Sequence, residues 1–143
     1  MASDHAGFAL KKHLKQFLTD KGYIIEDFGT DSEDSVDYPD FADKAALHIL
    51  QEEKKGNKLC GVLICGTGIG ISIRANRYKG IRAALCCSVE MARLTREHNN
   101  ANILCLGGRT TEPEIAEQIV QAYLDTDFPP MEKHERRINK LDQ

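Results

Sequence analysis

Apolar residues recur every three or four positions along several stretches of the chain, and glycine, proline or a capping side chain bounds each stretch. In the first stretch, residues 7–21, the apolar side chains fall on one helical face: Phe8, Leu10, Leu14, Phe17 and Leu18. Similar patterns predict further helices over residues 37–53, 70–78, 88–97, 111–124 and 132–141. Ser88 is the expected cap of its helix, and Thr111-Glu112-Pro113-Glu114 has the sequence of a capping box.

Short apolar runs between these helices predict buried strands over residues 23–28, 61–65, 81–86 and 102–106. One more strand should precede Gly7, where only three residues stand before Asp4. We expect this strand to be very short, or to begin upstream of Met1. Strands that alternate with helices of this length favour a parallel sheet covered on both faces.

The predicted fold is therefore an α/β, Rossmann-like three-layer sandwich with about five parallel strands and an additional C-terminal helix. No internal repeat or linker interrupts the pattern, so residues 1–143 are expected to form a single domain. No apolar run is long enough to span a bilayer, and the beginning of the chain does not resemble a signal peptide. We therefore expect a cytoplasmic protein that does not bind membranes.

Composition narrows the possible functions further. The chain is 41% hydrophobic and 29% charged, and its net charge of −3 does not favour binding to nucleic acid. Its five cysteines are an odd number and include no C-x-x-C pair, so we expect neither a complete disulfide framework nor a metal site. Cys86 and Cys105 lie in strand-like runs, where buried, inert thiols are the ordinary expectation.

Cys65 differs because three glycines follow it within five residues, in the segment Cys65-Gly66-Thr67-Gly68-Ile69-Gly70. The spacing matches neither a dinucleotide-binding loop nor a P-loop, because the third glycine comes one residue early and the Gly-Lys-Ser/Thr sequence is absent. The segment should place a thiol at the carboxyl end of a strand and beside a helix start. Such a position binds anions and favours a thiolate.

Other chemically versatile residues follow predicted strands or end predicted helices. Asp4 and His5 precede the first helix, and Arg109 follows Gly107-Gly108, so we expect all three at the carboxyl edge near Cys65. An N-cap alone would explain Asp4 but not His5. His98 and Asn99 end a helix, where a C-cap is the simpler interpretation. His98 would suit proton transfer if the chain turned back toward the ligand edge.

Together these segments resemble the type B ribose-5-phosphate isomerases, a family that includes bacterial galactose-6-phosphate isomerase subunits. The resemblance spans nearly the whole chain, through Asp4-His5-x-Gly7-Phe8, Phe28-Gly29-Thr30, Ser35-Val36-Asp37-Tyr38-Pro39, Cys65-Gly66-Thr67-Gly68-x-Gly70-x-Ser72-Ile73, Gly80-Ile81-Arg82-Ala83-Ala84, Arg96-x-His98-Asn99-x-Ala101-Asn102 and His134-x-x-Arg137. It implies interconversion of ribose 5-phosphate and ribulose 5-phosphate without a metal or cofactor.

The resemblance also implies roles for individual residues. Cys65 would be the base, and the amides of Gly66, Thr67, Gly68, Ile69 and Gly70 would hold the enediolate oxygens. His98 would assist ring opening with Asp4 and Thr67 nearby, Asn99 would bind sugar hydroxyls, and Tyr38 would line the pocket. The phosphate would lie near His5, Arg109, Lys133 and Arg137.

Family members form homodimers or homotetramers in which the C-terminal segment reaches the neighbouring subunit's site. The same arrangement is therefore expected here. Lys133 stands where many relatives carry Arg. Lys would meet the phosphate as a point charge, whereas Arg can donate two parallel hydrogen bonds to it. Two alternatives stay open: an isomerase of a six-carbon aldose phosphate, such as allose or galactose 6-phosphate, and a non-catalytic domain that binds sugar phosphates.

Overall fold

A computed structural model describes residues 1–142 of the chain. In chain order, its elements are β1 (Ala2–Ser3), a 3₁₀ turn (His5–Gly7), α1 (Phe8–Asp20), α2 (Tyr38–Lys54), β2 (Gly61–Cys65), α3 (Ile69–Ala75), β3 (Ala83–Leu85), α4 (Val89–Asn99), β4 (Ile103–Gly107), α5 (Pro113–Asp125) and α6 (Glu132–Ile138). Along this part of the chain, no helix is both long and apolar enough to cross a membrane.

The strands form one sheet in the order β1-β2-β4-β3, and all neighbouring pairs are parallel. At the centre of the sheet, Leu63 of β2 lies opposite Cys105 of β4, and Cys65 lies opposite Gly107. All five residues of β2 and all five of β4 are buried. A central parallel pair that is covered on both faces explains why both sequences are almost continuously apolar.

Helices cover both faces of the sheet, so the predicted three-layer α/β architecture is confirmed. Helices α1, α4 and α5 pack on one face, where Leu14, Leu104 and Tyr123 are fully buried. Helices α2 and α3 pack on the other face around Leu63 and Ile71. Side chains alternate along a strand. As a result, the last residue of β2, Cys65, belongs to the face that α2 and α3 cover.

The strand count differs from the prediction, because the described residues contain four strands instead of about five. The expected first strand exists but is only two residues long. Residues 23–28, predicted as a strand, are not part of the regular sheet. This segment runs beside β1, with Phe28 N–H donating to Met1 O at 2.9 Å. The segment also bonds β1 through Gly29 and Thr30, but Gly29 has φ 91°, which takes the backbone out of the extended conformation that a regular ladder requires.

Two predicted helix caps have different outcomes. Ser88 caps α4, and its Oγ accepts the Met91 N–H at 3.2 Å. The predicted capping box at Thr111 is wrong. Helix α5 starts one residue later than that motif requires, with Glu112 as its N-cap residue and no side-chain capping bond. Pro113 occupies the first turn of α5, where its fixed φ suits the helix and its missing N–H costs nothing.

Candidate active site

A crevice opens at the carboxyl edge of the sheet between its two central strands. The chain leaves β2 into α3 on one face of the sheet, whereas it leaves β4 into α5 on the opposite face. Neighbouring parallel strands that diverge in this way form the usual ligand site of open α/β sheets. Cys65 is the last residue of β2 and lies at this point, only 4% exposed.

The loop after Cys65 directs a backbone donor at its sulfur. The Gly68 N–H donates to Cys65 Sγ at 3.2 Å. Gly68 has φ 78°, in the left-handed region, and a Cβ there would lie 2.6 Å from Leu85 Cδ1 and 2.8 Å from the Leu106 carbonyl carbon. Only glycine fits this position without displacing its neighbours. The glycine loop therefore holds a backbone donor against the sulfur at the crevice end of β2.

The other buried cysteines have no comparable donor. Burial and, to a smaller extent, the neighbouring Cys87 raise the pKa of the Cys86 thiol to about 11. Burial also raises the pKa of the Cys105 thiol well above its ordinary value. Both therefore remain protonated at neutral pH, in agreement with the expectation of inert core cysteines.

The turn after β4 places Arg109 over the start of the glycine loop. Gly108 N–H donates to Cys65 O at 2.7 Å, and Arg109 N–H donates to Gly66 O at 2.9 Å. A Cβ on Gly66 would lie 3.3 Å from Arg109 Nη1, so the guanidinium sits directly against this glycine. The Arg109 side chain is otherwise exposed and is available to bind an anion beside the loop.

The turn after β1 closes the crevice on the other side. Asp4 is buried, its N–H donates to Ile64 O at 3.2 Å, and its Oδ1 accepts the Gly7 N–H at 3.0 Å. The predicted N-cap role of Asp4 is therefore confirmed. His5 Nδ1 accepts the Val36 N–H at 3.2 Å, which leaves Nε2 as the protonated nitrogen of the neutral ring. Sequence reasoning missed this partner, because no local pattern links residues so far apart.

Tyr38 and Thr67 complete the surroundings of the loop. The Tyr38 ring packs on Gly70, where a Cβ would lie 2.7 Å from Tyr38 Cζ and 3.0 Å from Oη. Thr67 Oγ1 accepts the Ile69 N–H at 3.3 Å and lies in an exposed part of the loop. One chain thus brings together part of the predicted site: Asp4, His5, Tyr38, Cys65, Gly66, Thr67, Gly68, Ile69, Gly70 and Arg109. We call this group the carboxyl-edge cluster.

His98 and Asn99 lie elsewhere, at the amino edge of the sheet. Arg82, the residue before β3, donates from Nε to Asn99 O at 3.1 Å and to Asn100 O at 3.0 Å. A helix that follows a parallel strand returns to the amino edge before the next strand begins. The central five-residue strands separate the two edges by about 13 Å. Within one chain, therefore, His98 does not turn back toward Cys65, Asp4 or Thr67.

Helix α6 joins His98 at this second location. The His134 ring stacks on the His98 ring with a centroid separation of 4.6 Å and an interplanar angle of 17°. Lys133 and Arg137 are exposed on the same helix. We call His98, Asn99, Lys133, His134 and Arg137 the amino-edge cluster. The helical pattern of residues 132–141 could not reveal the stack, because the two rings lie on helices distant in sequence.

Burial lowers the pKa of His134, and the nearby His98, Lys133 and Arg137 charges lower it further. His134 is therefore neutral near neutral pH. Among residues 1–142, no three His, Cys, Asp or Glu side chains come together in a way that could hold a metal ion.

Comparison with known proteins agrees with this geometry. Residues 1–141 match the family described as Ribose/Galactose Isomerase. The chain belongs to this family. The crystal structure of a ribose 5-phosphate isomerase from Thermotoga maritima superposes with a TM-score of 0.93, at 55% identity over 99% of this chain and 94% of that one.

Two curated relatives show the range of the family. "Ribose-5-phosphate isomerase B" of Escherichia coli K12 is 40% identical over 138 residues, which cover 96% of this chain and 89% of the relative. "Galactose-6-phosphate isomerase subunit LacB" of Clostridium acetobutylicum is 36% identical over 140 residues, or 98% and 79% of the two chains. The chain is thus an aldose–ketose isomerase that acts on sugar phosphates, as the sequence predicted.

Proposed function

We propose that the chain interconverts ribose 5-phosphate and ribulose 5-phosphate, with Cys65 as the base. The observation that carries the proposal is the position of Cys65 Sγ, at the crevice end of a buried strand and hydrogen-bonded to the Gly68 N–H. The similarity to the Thermotoga maritima and Escherichia coli ribose 5-phosphate isomerases supports the choice of a pentose.

The reaction moves one hydrogen from C2 to C1 of the open-chain sugar and one from O2 to O1. In our proposal the Cys65 thiolate removes the C2 hydrogen as a proton, and the resulting thiol returns a proton to C1. The intermediate is an enediolate, whose negative oxygens need donors fixed in advance. We assign these donors to the loop after Cys65, against which Arg109, Leu85 and Tyr38 pack. Its Gly68 and Ile69 N–H groups bond Cys65 Sγ and Thr67 Oγ1 without substrate, and would exchange those acceptors for the enediolate oxygens.

Two clusters on opposite edges of one chain suggest that two chains build each site. We infer a homodimer in which the carboxyl-edge cluster of one subunit meets the amino-edge cluster of the other. His98 would then open the sugar ring, Asn99 would bind its hydroxyls, and Lys133 and Arg137 would join His5 and Arg109 around the phosphate. A single chain keeps these residues apart and leaves each cluster incomplete.

Exposed apolar side chains near the crevice support this pairing. Ile69 and Ile73 of α3 are 51% and 52% exposed, and Val89 and Met91 lie at the exposed start of α4. Both segments follow the carboxyl ends of strands, so they flank the crevice. Grouped apolar side chains of this kind commonly mark a surface that another chain covers.

The test is to measure turnover of ribose 5-phosphate and of allose 6-phosphate by the purified protein, with a chelator present. We expect turnover of the pentose that the chelator does not change. Turnover of the hexose alone would contradict the proposed substrate while keeping the chemistry. Binding of both sugars without turnover of either, by a folded and dimeric sample, would contradict an enzymatic role.

A further inference from the structure

His134 is the only residue of α6 whose side chain is buried, and the structure describes every residue of this helix. Lys133 and Arg137 are exposed, and Ile138 at the end of the helix is half-buried. A seven-residue helix gains little stability from its own backbone hydrogen bonds and depends on packing against the rest of the protein. The burial of His134 is therefore the principal attachment of α6.

The surface that receives His134 is the end of α4. The two imidazoles are nearly parallel, at 17°, with their centroids 4.6 Å apart, which is the geometry of a stacked aromatic pair. His98 is exposed on its other side. The stack therefore restricts the plane of the His98 ring without covering its outer face.

The groups that lower the pKa of His134, besides burial, all carry or can acquire positive charge, and the acidic residues of the same helix are Glu132 and Glu135. His98 faces it from α4, while Lys133 and Arg137 flank it on α6. Protonating His134 would place a buried cation among these groups. The stack is consequently stable only while the His134 ring is neutral.

We propose that His134 is a positioning residue whose neutral ring fixes the His98 imidazole and docks the helix that carries Lys133 and Arg137. This inference rests on the proposed function, in which His98 opens the sugar ring and the two cations bind phosphate. His134 itself touches no reacting atom in this scheme. It couples the ring-opening group to the phosphate-binding helix, so both are correctly placed or misplaced together.

Because His134 must be neutral to dock α6, we expect KM for the sugar phosphate to depend on pH in the acid range. The pKa of His134 in the folded protein is lower than the ordinary value of 6.5. His134 therefore binds a proton more tightly when α6 is undocked or unfolded than when it is docked. Docking is at full strength above about pH 6.5 and weakens as the pH falls through the lowered pKa. KM for the sugar phosphate should rise over that acid range.

The test compares His134→Phe, which keeps a flat buried ring but cannot titrate, with His134→Ala, which removes the ring. At about pH 7.5 we expect His134→Ala to raise KM about tenfold and to lower kcat, because a charge-assisted phosphate contact and the His98 orientation are both weakened. His134→Phe should keep both constants within about twofold, and its KM should rise less than the wild type's between about pH 7.5 and 5.5. His13→Phe, on the exposed side of α1, is the matched control.

Nuclear magnetic resonance gives a readout that does not need turnover. The chain has five histidines, so the His98 ring signals can be assigned from a His98→Asn sample. The ring-current shift of His98 should disappear in His134→Ala and persist in His134→Phe. Circular dichroism melting of each variant separates undocking of α6 from loss of the whole fold.

A His134→Ala variant with unchanged KM and kcat would overturn the inference, and so would a His134→Phe variant as impaired as His134→Ala. If the wild type turned over no sugar phosphate, the proposed function would fail instead. The positioning role would then be decided by calorimetric binding of ribose 5-phosphate, which should weaken in His134→Ala only. Equal binding by both variants would overturn it.

Discussion

The carboxyl-edge cluster and the amino-edge cluster are built in different ways. Around Cys65, a backbone N–H bonds the sulfur, and the glycines at positions 66, 68 and 70 allow Arg109, Leu85 and Tyr38 to pack closely against the loop. Around His98, exposed side chains on the ends of two helices make the contacts, and one buried ring attaches the shorter helix. The first cluster is rigid by construction, whereas the second depends on docking.

This difference suits the chemistry that we assign to each cluster. A base and the donors that stabilise an enediolate need fixed distances, since small displacements cost much of the rate. Ring opening and phosphate binding tolerate more adjustment and benefit from groups that approach after the substrate enters. We therefore expect lesions in the first cluster to lower kcat. In the second cluster, loss of a phosphate-binding cation should mainly raise KM, whereas loss of His98, which opens the sugar ring, should abolish turnover.

The largest expected effect comes from removing the base. Cys65→Ala should lower kcat by about 10²–10⁴-fold, the usual contribution of a positioned acid or base. Binding of ribose 5-phosphate, measured by calorimetry, should stay near the wild-type value, because the loop amides and the cationic side chains remain. Cys87→Ala is the control, since Cys87 is exposed and lies outside both clusters. Loss of binding along with activity would assign Cys65 a structural role.

The next effect tests the amino-edge cluster. Arg137→Ala should raise KM about tenfold to a hundredfold with little change in kcat, because a charge-assisted contact to phosphate is lost. Arg136→Ala removes the same charge from the adjacent position on α6 and should leave KM nearly unchanged. Equal effects of the two substitutions would show that only the general positive charge of α6 matters.

A smaller effect should follow from crowding the rigid loop. Gly70→Ala would place a methyl group 2.7 Å from Tyr38 Cζ, so the ring or the loop must move. Because the Tyr38 ring is 37% exposed and can swing away, and alanine favours the helix at this position of α3, we expect a stability loss below about 1 kcal/mol. Displacement of the loop should also lower kcat roughly tenfold.

The control for Gly70→Ala is Gly56→Ala. Gly56 has φ 88° in an open turn with no atom within 4 Å of the added methyl group. That substitution should reduce the melting temperature through its backbone conformation and leave kcat intact. If Gly70→Ala also changed only stability, the loop would be less rigid than its contacts indicate.

The smallest effect concerns acid stability beside the carboxyl-edge cluster. Asp27 accepts hydrogen bonds from Lys11 and Lys15, and from the Gly29 N–H at 3.0 Å. Burial alone would raise the pKa of Asp27, but these hydrogen bonds outweigh it and lower the pKa to about 2. Because the pKa in the folded state is below the ordinary value of 3.8, Asp27 stabilises the fold above about pH 4, and this contribution is lost toward pH 2.

Asp27→Asn should therefore flatten the fall in melting temperature between about pH 4 and pH 2, whereas Asp20→Asn on the exposed end of α1 should not. The two regions would then lose stability at different pH. Helix α6 would undock below about pH 6.5, whereas the packing around Asp27 would weaken only below about pH 4. A single transition for both would contradict their independence.

Much of the fold could be predicted because the central strands and the helices have clear hydrophobic patterns. The same patterns failed at residues 23–28, which are apolar enough for a strand but lead directly into Gly29, whose φ is 91°. Hydrophobicity shows which residues can be buried, and it does not show where the backbone leaves the extended conformation. The Thr111 motif failed for a related reason, since the chain enters α5 one residue later than the motif requires.

The sequence could likewise place only some of the candidate site residues. Residues that directly follow strands, such as Asp4 and Arg109, could be placed near Cys65 because parallel strands end at one edge. His98 lies at the end of a helix that returns to the opposite edge, so the same rule separates it from Cys65 of its own chain. Arg137 lies on α6, which follows another helix, and only the packing of α6 on α4 places it beside His98. How two chains bring these residues together depends on surface complementarity, which no spacing in a single sequence encodes.

Complementation between two inactive variants tests the shared site most directly. Cys65→Ala and His98→Asn subunits, each inactive alone, should regain about a quarter of wild-type activity when they are co-expressed in equal amounts. Random pairing makes about half of the dimers mixed, and each mixed dimer contains one site with both residues intact. No recovery in dimers shown to be mixed would place Cys65 and His98 of one chain in the same site and contradict the account.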